Sequence, residues 1–214
     1  MKESTSTMTT KEKILVEALR LFSTSGFEAV SVRDIAGAVG VHESSLYKHY
    51  KNKQDIFDTI IDKSAQRIHA IHQKLAVPNP EHSTLAQEYK EMSLETLGEI
   101  SSELFLFYLR DDVVGQFRKM LTIEQYRNSA VSNMFKKIFI DDALQFQSAI
   151  FKKFMDAGTF VKGDPYIMAL HFYSPIFLLL CKYDSTSDND LEASGFIKKH
   201  IAEFSSHYAV NPED

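Results

Sequence analysis

The chain is poor in the residues that cross-link, punctuate or catalyse. One residue of 214 is cysteine, Cys181, set in an apolar run. An intramolecular disulfide framework is therefore excluded, and no Cys-x2-Cys or His/Cys spacing offers a zinc site. A reducing compartment follows. Glycine is scarce, strand-like alternation is almost absent, and no internal repeat occurs. There is no GxGxxG, GxxxxGKS/T or GxSxG, and no nucleophile with a partnered base can be named, so an enzyme is not expected. His69-x-x-His72 has i, i+3 spacing on a helix but lacks the carboxylate of HExxH. It reads as a solvated face, with no metal and no cofactor. The first twenty residues hold no signal-peptide core. The most apolar stretch, Ile167 to Cys181, is interrupted by His171, Ser174 and Pro175 and is shorter than the ~20 residues of a membrane span. A soluble cytoplasmic protein without a membrane partner is expected.

Hydrophobic residues make up 44% of the chain, enough to bury a substantial core in one globular unit or two small ones. The net charge of −5 is unevenly placed. Residues 1–63 hold nine Lys/Arg and nine Asp/Glu, so the whole deficit lies in residues 64–214. The pattern is helical throughout. Lys11 to Ser25 is amphipathic and closes at Gly26. A long helix from about Lys53 to Leu75 follows, and Val77-Pro78-Asn79-Pro80 breaks it. Beyond it Ser83 or Thr84 can cap a helix to about Glu99, followed by the aromatic-rich ELFLFYLRDD and two further helices through Phe139. Asp141–Ala157, Pro165–Tyr183 and Leu191–Tyr208 complete the set. The Pro165–Tyr183 segment is apolar on nearly every side, so it lies inside a bundle or places part of its surface against another subunit.

The most informative stretch is SVRDIAGAVGVHESSLYKHYKNK, residues 31–53. Ser31 three residues before Asp34 makes a capping-box-like start. Gly40 ends that helix, and Ala36 is small enough for a second helix, about Glu43 to Tyr50, to cross closely. This is the spacing of a helix-turn-helix. The second helix turns Leu46 and Tyr50 inward and presents Ser44, Ser45, Tyr47, Lys48 and His49, a face of hydrogen-bond donors suited to phosphates. From Ser44 to Gln54 there are three lysines and no acid. Two short helices packing in an ordinary helical domain would show the same spacing. The local basic patch in an acidic chain favours DNA, which would repel the rest of the molecule.

Over about fifty residues, from ILVEALRLFSTSGFEAVSVRDIA through GVHESSLYKHYKNKQDIFDTII, the sequence resembles the N-terminal DNA-binding domain of the TetR (TetR/AcrR) family of bacterial transcriptional regulators. His42 and Glu43 stand where Ser or Thr and a Lys-like residue are more usual. The resemblance implies an all-α protein in which a three-helix head, residues 8–68 with its motif over 31–50, joins through a long helix to a helical ligand-binding and dimerisation domain, residues 81–210. Carried onto matching positions, it implies phosphate contacts from Ser31, Ser45 and Lys53, backbone contacts from Tyr47 and His49, and base contacts from Arg33 and Lys48, with Ser44 on the same face. Arg and Lys are long donors matched to guanine O6 and N7.

A homodimer is expected on physical grounds as well. One recognition helix offers few contacts, whereas a two-fold pair spaced about 34–36 Å doubles them on a palindromic operator. The resemblance implies that Asp141–Ala157 and Pro165–Tyr183 build the dimer's four-helix bundle and that a small-molecule effector releases a repressor from its operator. Phe105, Phe107, Tyr108, Phe146 and Phe172 are candidate walls of an effector pocket, with Met120 and Tyr126 beside them and His171 and Ser174 as polar handles. Aromatics at helical spacing equally describe a packed core. The alternative function is a helical ligand-sensing or protein-interaction module that does not use its DNA-binding face.

Overall fold

A computed structural model describes residues 8–75, 93–184 and 190–210. Among these residues the regular elements are helical, and the β pairing present is an isolated bridge between Phe160 and Ala209. In chain order they are α1 (Thr10–Ser25), α2 (Val32–Val39), α3 (Glu43–Leu46), α4 (Lys53–Lys74), α5 (Leu94–Arg110), α6 (Asp112–Glu124), α7 (Ser129–Lys136), a π-helical turn (Lys137–Asp141), α8 (Asp142–Asp156), α9 (Pro165–Lys182) and α10 (Asp190–Tyr208). The all-α expectation holds. The Val77–Pro80 break and the Ser83 or Thr84 cap lie outside the described residues.

Local chemistry sets the helix ends. Thr9 and Glu12 form a complete capping box at α1, and Ser31 and Asp34 form another at α2. Ser93 accepts the Thr96 N–H at the start of α5. Asp164 accepts from Tyr166 and Ile167 ahead of α9, where Pro165 occupies a first-turn position that needs no N–H donor. Gly40 closes α2 in the left-handed region at φ 76°, which a side chain would strain.

The chain divides into two compact units, Met1–His69 with Asp112–Phe135, and Ala70–Asp111 with Lys136–Asp214. Packing does not follow the linear division at 68/81, because α6 and α7 join the head. The reason is α6, which lies along α1 and buries Val114, Phe117, Met120 and Leu121. In the same unit Phe22, Phe27 and Phe57 form a ring triangle with centroids 4.9–6.1 Å apart, behind which Ile35, Leu46 and Ile56 are buried.

The second unit has its own core from α5, α8, α9 and α10, centred on Phe105, Phe151, Phe160, Phe172 and Phe204. Tyr173 of α9 donates to the carbonyl of Phe139 in the π-turn at 2.7 Å. α9 is long and apolar enough to cross a membrane by length and composition. It nevertheless packs on α8, α10 and α5, burying Met168, Ala169, Phe172, Ile176 and Leu180.

Candidate nucleic-acid interface

Three elements build the face that the sequence points to. α2 sets the platform, the glycine turn redirects the chain, and α3 leads into a tightened turn. α3 is shorter than expected, ending at Leu46. Beyond it the bonds Lys48 N–H to Ser45 O and His49 N–H to Leu46 O span three residues, so 47–49 continue as turns. His42 makes no side-chain cap, consistent with histidine being a poor N-cap, and the short helix starts without that support. Leu46 and Tyr50 are buried beneath it, as the pattern predicts. The Tyr50 hydroxyl donates to the Lys11 carbonyl at 3.2 Å, and burial, with Asp55 adding to it, pushes the phenol up to about 12. It therefore stays a donor and pins the turn to α1.

On the outer side Ser44, Tyr47, Lys48 and His49 are exposed and Ser45 is half-buried. Tyr47 stands 52% exposed, which removes it from any packing role. Arg33 is exposed on the first turn of α2. Lys51 and Asn52, next in sequence, are exposed as well.

Two of the expected contacts carry other duties. The Ser31 hydroxyl donates to Asp34 Oδ2 at 2.6 Å and accepts the Asp34 N–H at 3.1 Å. The Ser31 hydroxyl and, next, the Ser31 backbone N–H, which donates to the same Oδ2 at 2.8 Å, hold the Asp34 carboxyl below its ordinary value. The one hydroxyl proton is thereby spent on the cap, so here Ser31 acts as a helix start. Ser31→Ala is expected to cost about 1 kcal/mol of stability, read by thermal denaturation; an unchanged melting curve would remove that role. The Lys53 ammonium donates to the carbonyls of Phe27 at 2.7 Å and Val30 at 2.9 Å and lies 4.2 Å from the Phe27 ring centroid. An ammonium has three protons, so one remains for a phosphate.

The residues named for an effector pocket are not gathered around one cavity. Met120 is buried in the head on α6, and Tyr126 of the same unit is 85% exposed. In the second unit Phe105 and Phe172 are close-packed core, while His171 is exposed and hydrogen-bonds Tyr208. Tyr108 meets His72 Nε2 at 3.3 Å and stacks edge-on with Phe139. Phe107 packs edge-on to Tyr108, and Phe146 packs against the core. Aromatic side chains at these positions pack against one another and the surrounding core. An open apolar groove of about 290 Å³ does lie on α8 and α9, lined by Ile140, Leu144, Leu170, Tyr173, Ser174, Phe177, Leu178 and Cys181. Ser174 alone of the expected lining belongs to it.

Residues 14–60, the segment that forms this face and its supports, match the model of bacterial regulatory proteins, tetR family. Over these residues the chain is similar to the TetR family. The proteins it resembles there are transcriptional regulators. The HTH-type transcriptional regulator AcrR of Shigella flexneri is 42% identical over 59 residues, 28% of this chain and 27% of that protein. The match thus spans about a quarter of that relative's length. Over nearly the whole chain the fold is shared with solved TetR-type structures. The ketosteroid transcriptional regulator KstR2 of Mycobacterium tuberculosis has a TM-score of 0.66 at 15% identity, covering 96% of this chain and 98% of that one. SmeT of Stenotrophomonas maltophilia, in complex with triclosan, has a TM-score of 0.61 at 18% identity, covering 95% and 93%. At such identities the likeness is one of fold.

Glu124 is the head residue that the sequence reading passed over. It is buried on α6 and accepts the Phe27 N–H at 2.7 Å. Its signal was available: Phe117, Leu121 and Glu124 recur at i, i+4 and i+7, placing an acid on the buried stripe.

Proposed function

We propose that this protein is a homodimeric, sequence-specific DNA-binding repressor, acting in the cytoplasm on a palindromic operator and released by a small-molecule effector. The observation that carries the reading is the outward donor face at 44–49. It is rigidly backed by buried Leu46 and Tyr50 and stands in a stretch with lysines at 48, 51 and 53 and no acid between 44 and 54. Phosphate contacts from Ser45, Tyr47, His49 and Lys53 would set the register, and Lys48 and Arg33 would read base edges.

The dimer reading is supported by α9. In a single chain Ile167 and Leu178 stand 47% and 66% exposed, and the groove beside Leu178 is almost wholly apolar. A second copy is the occupant that suits it, because two-fold pairing buries the apolar strip and supplies the second recognition helix that specific binding needs. Effector release is supported by the shared fold with SmeT, whose structure holds triclosan. An effector must favour the DNA-incompetent state, and about 1.4 kcal/mol of differential affinity suffices for tenfold release.

Footprinting of the purified chain on DNA flanking its gene tests the reading, with a protected palindrome of two half-sites about one helical turn apart expected. Lys48→Ala should then cost about 1–3 kcal/mol at one base pair per half-site and relax preference there. Uniform weakening over all sequences would move Lys48 to the phosphate class. Absence of any protected fragment at low ionic strength would leave the helical sensing module in place of the repressor.

A further inference from the structure

We infer that Glu124, 97 residues from Phe27 in sequence, is a positioning residue for the DNA contact made by Lys53. The inference rests on the DNA-binding reading above. A carboxylate that is 3% exposed is costly to bury unless its oxygens are used. Glu124 Oε1 is used on the main chain, accepting the Phe27 N–H at 2.7 Å, while Arg127 Nη1 stands 4.0 Å away. The turn is shaped to admit it. Gly26 has φ 83°, and a Cβ there would lie 2.7 Å from Glu124 Oε1. The positive φ calls for glycine there, and a Cβ would also crowd the carboxylate in its present position.

The far side of Phe27 is held by the opposite charge. Its carbonyl accepts from Lys53 Nζ at 2.7 Å, and the same ammonium bonds the Val30 carbonyl and covers the Phe27 ring. The α1–α2 turn is therefore clamped between a buried carboxylate on α6 and the lysine at the start of α4. Charge-assisted bonds at both ends are the strong kind, and hydrogen bonds in sequence polarise one another. With Glu124 in place the Phe27 and Val30 carbonyls fix the ammonium, leaving its remaining proton aimed in one direction. Without it the turn is free to shift, and Lys53 loses its seat.

The test uses the full chain and its footprinted operator, with Glu124→Ala, Glu124→Asp, Glu124→Gln, Lys53→Ala and the double variant Glu124→Ala/Lys53→Ala. Glu124→Ala and Lys53→Ala are each expected to weaken binding about tenfold and to lower the salt slope by about one per head. The double variant should be no weaker than Lys53→Ala alone. Glu124→Gln, whose amide oxygen still accepts the Phe27 N–H, should stay within about twofold of the wild type. If the alanine variant does not fold, Glu124→Asp, which keeps the charge but withdraws the oxygens, should show the same lowered slope. Additive losses with Lys53→Ala, or an unchanged slope in a folded Glu124→Ala or Glu124→Asp variant, would overturn the inference. A wild-type chain that binds no DNA defeats the DNA-binding reading itself, whereas a binding wild type matched by the alanine and aspartate variants defeats this inference alone.

Discussion

Phe172→Ala should lower the stability of the second unit by about 3–5 kcal/mol. The Phe172 ring is wholly buried, with Phe204 at 4.9 Å and Phe151 at 5.4 Å, both edge-on, and His200 at 5.8 Å. Its neighbours cannot easily collapse into the space. Phe151 is stacked on Phe160 at an interplanar angle of 18°, and Phe160 in turn meets Phe154 and Phe204. Truncation therefore removes apolar burial and edge-to-face contacts together and leaves a cavity. The His200 Nε2 bond to the Phe172 carbonyl survives, since it is made by the backbone. Chemical denaturation followed by circular dichroism measures the loss. A cost below about 1 kcal/mol would mean that the site already has room, returning Phe172 to the role of pocket wall.

Raising salt from about 50 to about 200 mM should weaken operator binding by about 10³- to 10⁵-fold, the loss expected for 6–10 phosphate contacts. That number requires about three or four cationic contacts per head, drawn from Arg33, Lys48, Lys51 and Lys53 and doubled in the proposed dimer, because the slope counts phosphates neutralised by Lys and Arg. The steepness has to come from this local patch, because residues 1–63 are neutral overall and residues 64–214 are acidic. Long-range attraction to any DNA should accordingly be weak, and a scrambled fragment should be bound poorly even at low salt. Anisotropy titrations on operator and scrambled duplexes would show both effects. A flat salt response would remove the donor face from the interface, and equal affinity for the two duplexes would remove base readout.

The difference between these two predictions reflects how far each half could be read from residues. In the head the signals are local. Ser31 with Asp34, Gly40 at the end of α2 and the buried pair Leu46 and Tyr50 act within a few positions of one another, so spacing carries their geometry. The shortening of α3 was not legible, because the i→i+3 bonds after Leu46 depend on how Tyr50 docks on Lys11. Nor was the engagement of Lys53, whose carbonyl partners Phe27 and Val30 lie 26 and 23 residues away. In the second half the helices were readable from periodicity and caps, but the pocket was not. Met120 and Phe172 look alike as apolar residues on helices, and they belong to different compact units.

Sequence alone determined the helical class, the helix starts at Ser31 and Pro165, and the donor-rich face at 44–49, since each follows from backbone geometry and side-chain type over one or two turns. Tertiary structure decided the partners of groups that act at a distance: two carbonyls for Lys53, the Phe27 amide for Glu124, and other rings for Phe172. A polar or aromatic side chain advertises what it can bind, but hydrogen bonds and packing act over a few ångströms, so the outcome depends on which distant residues the fold brings within that range.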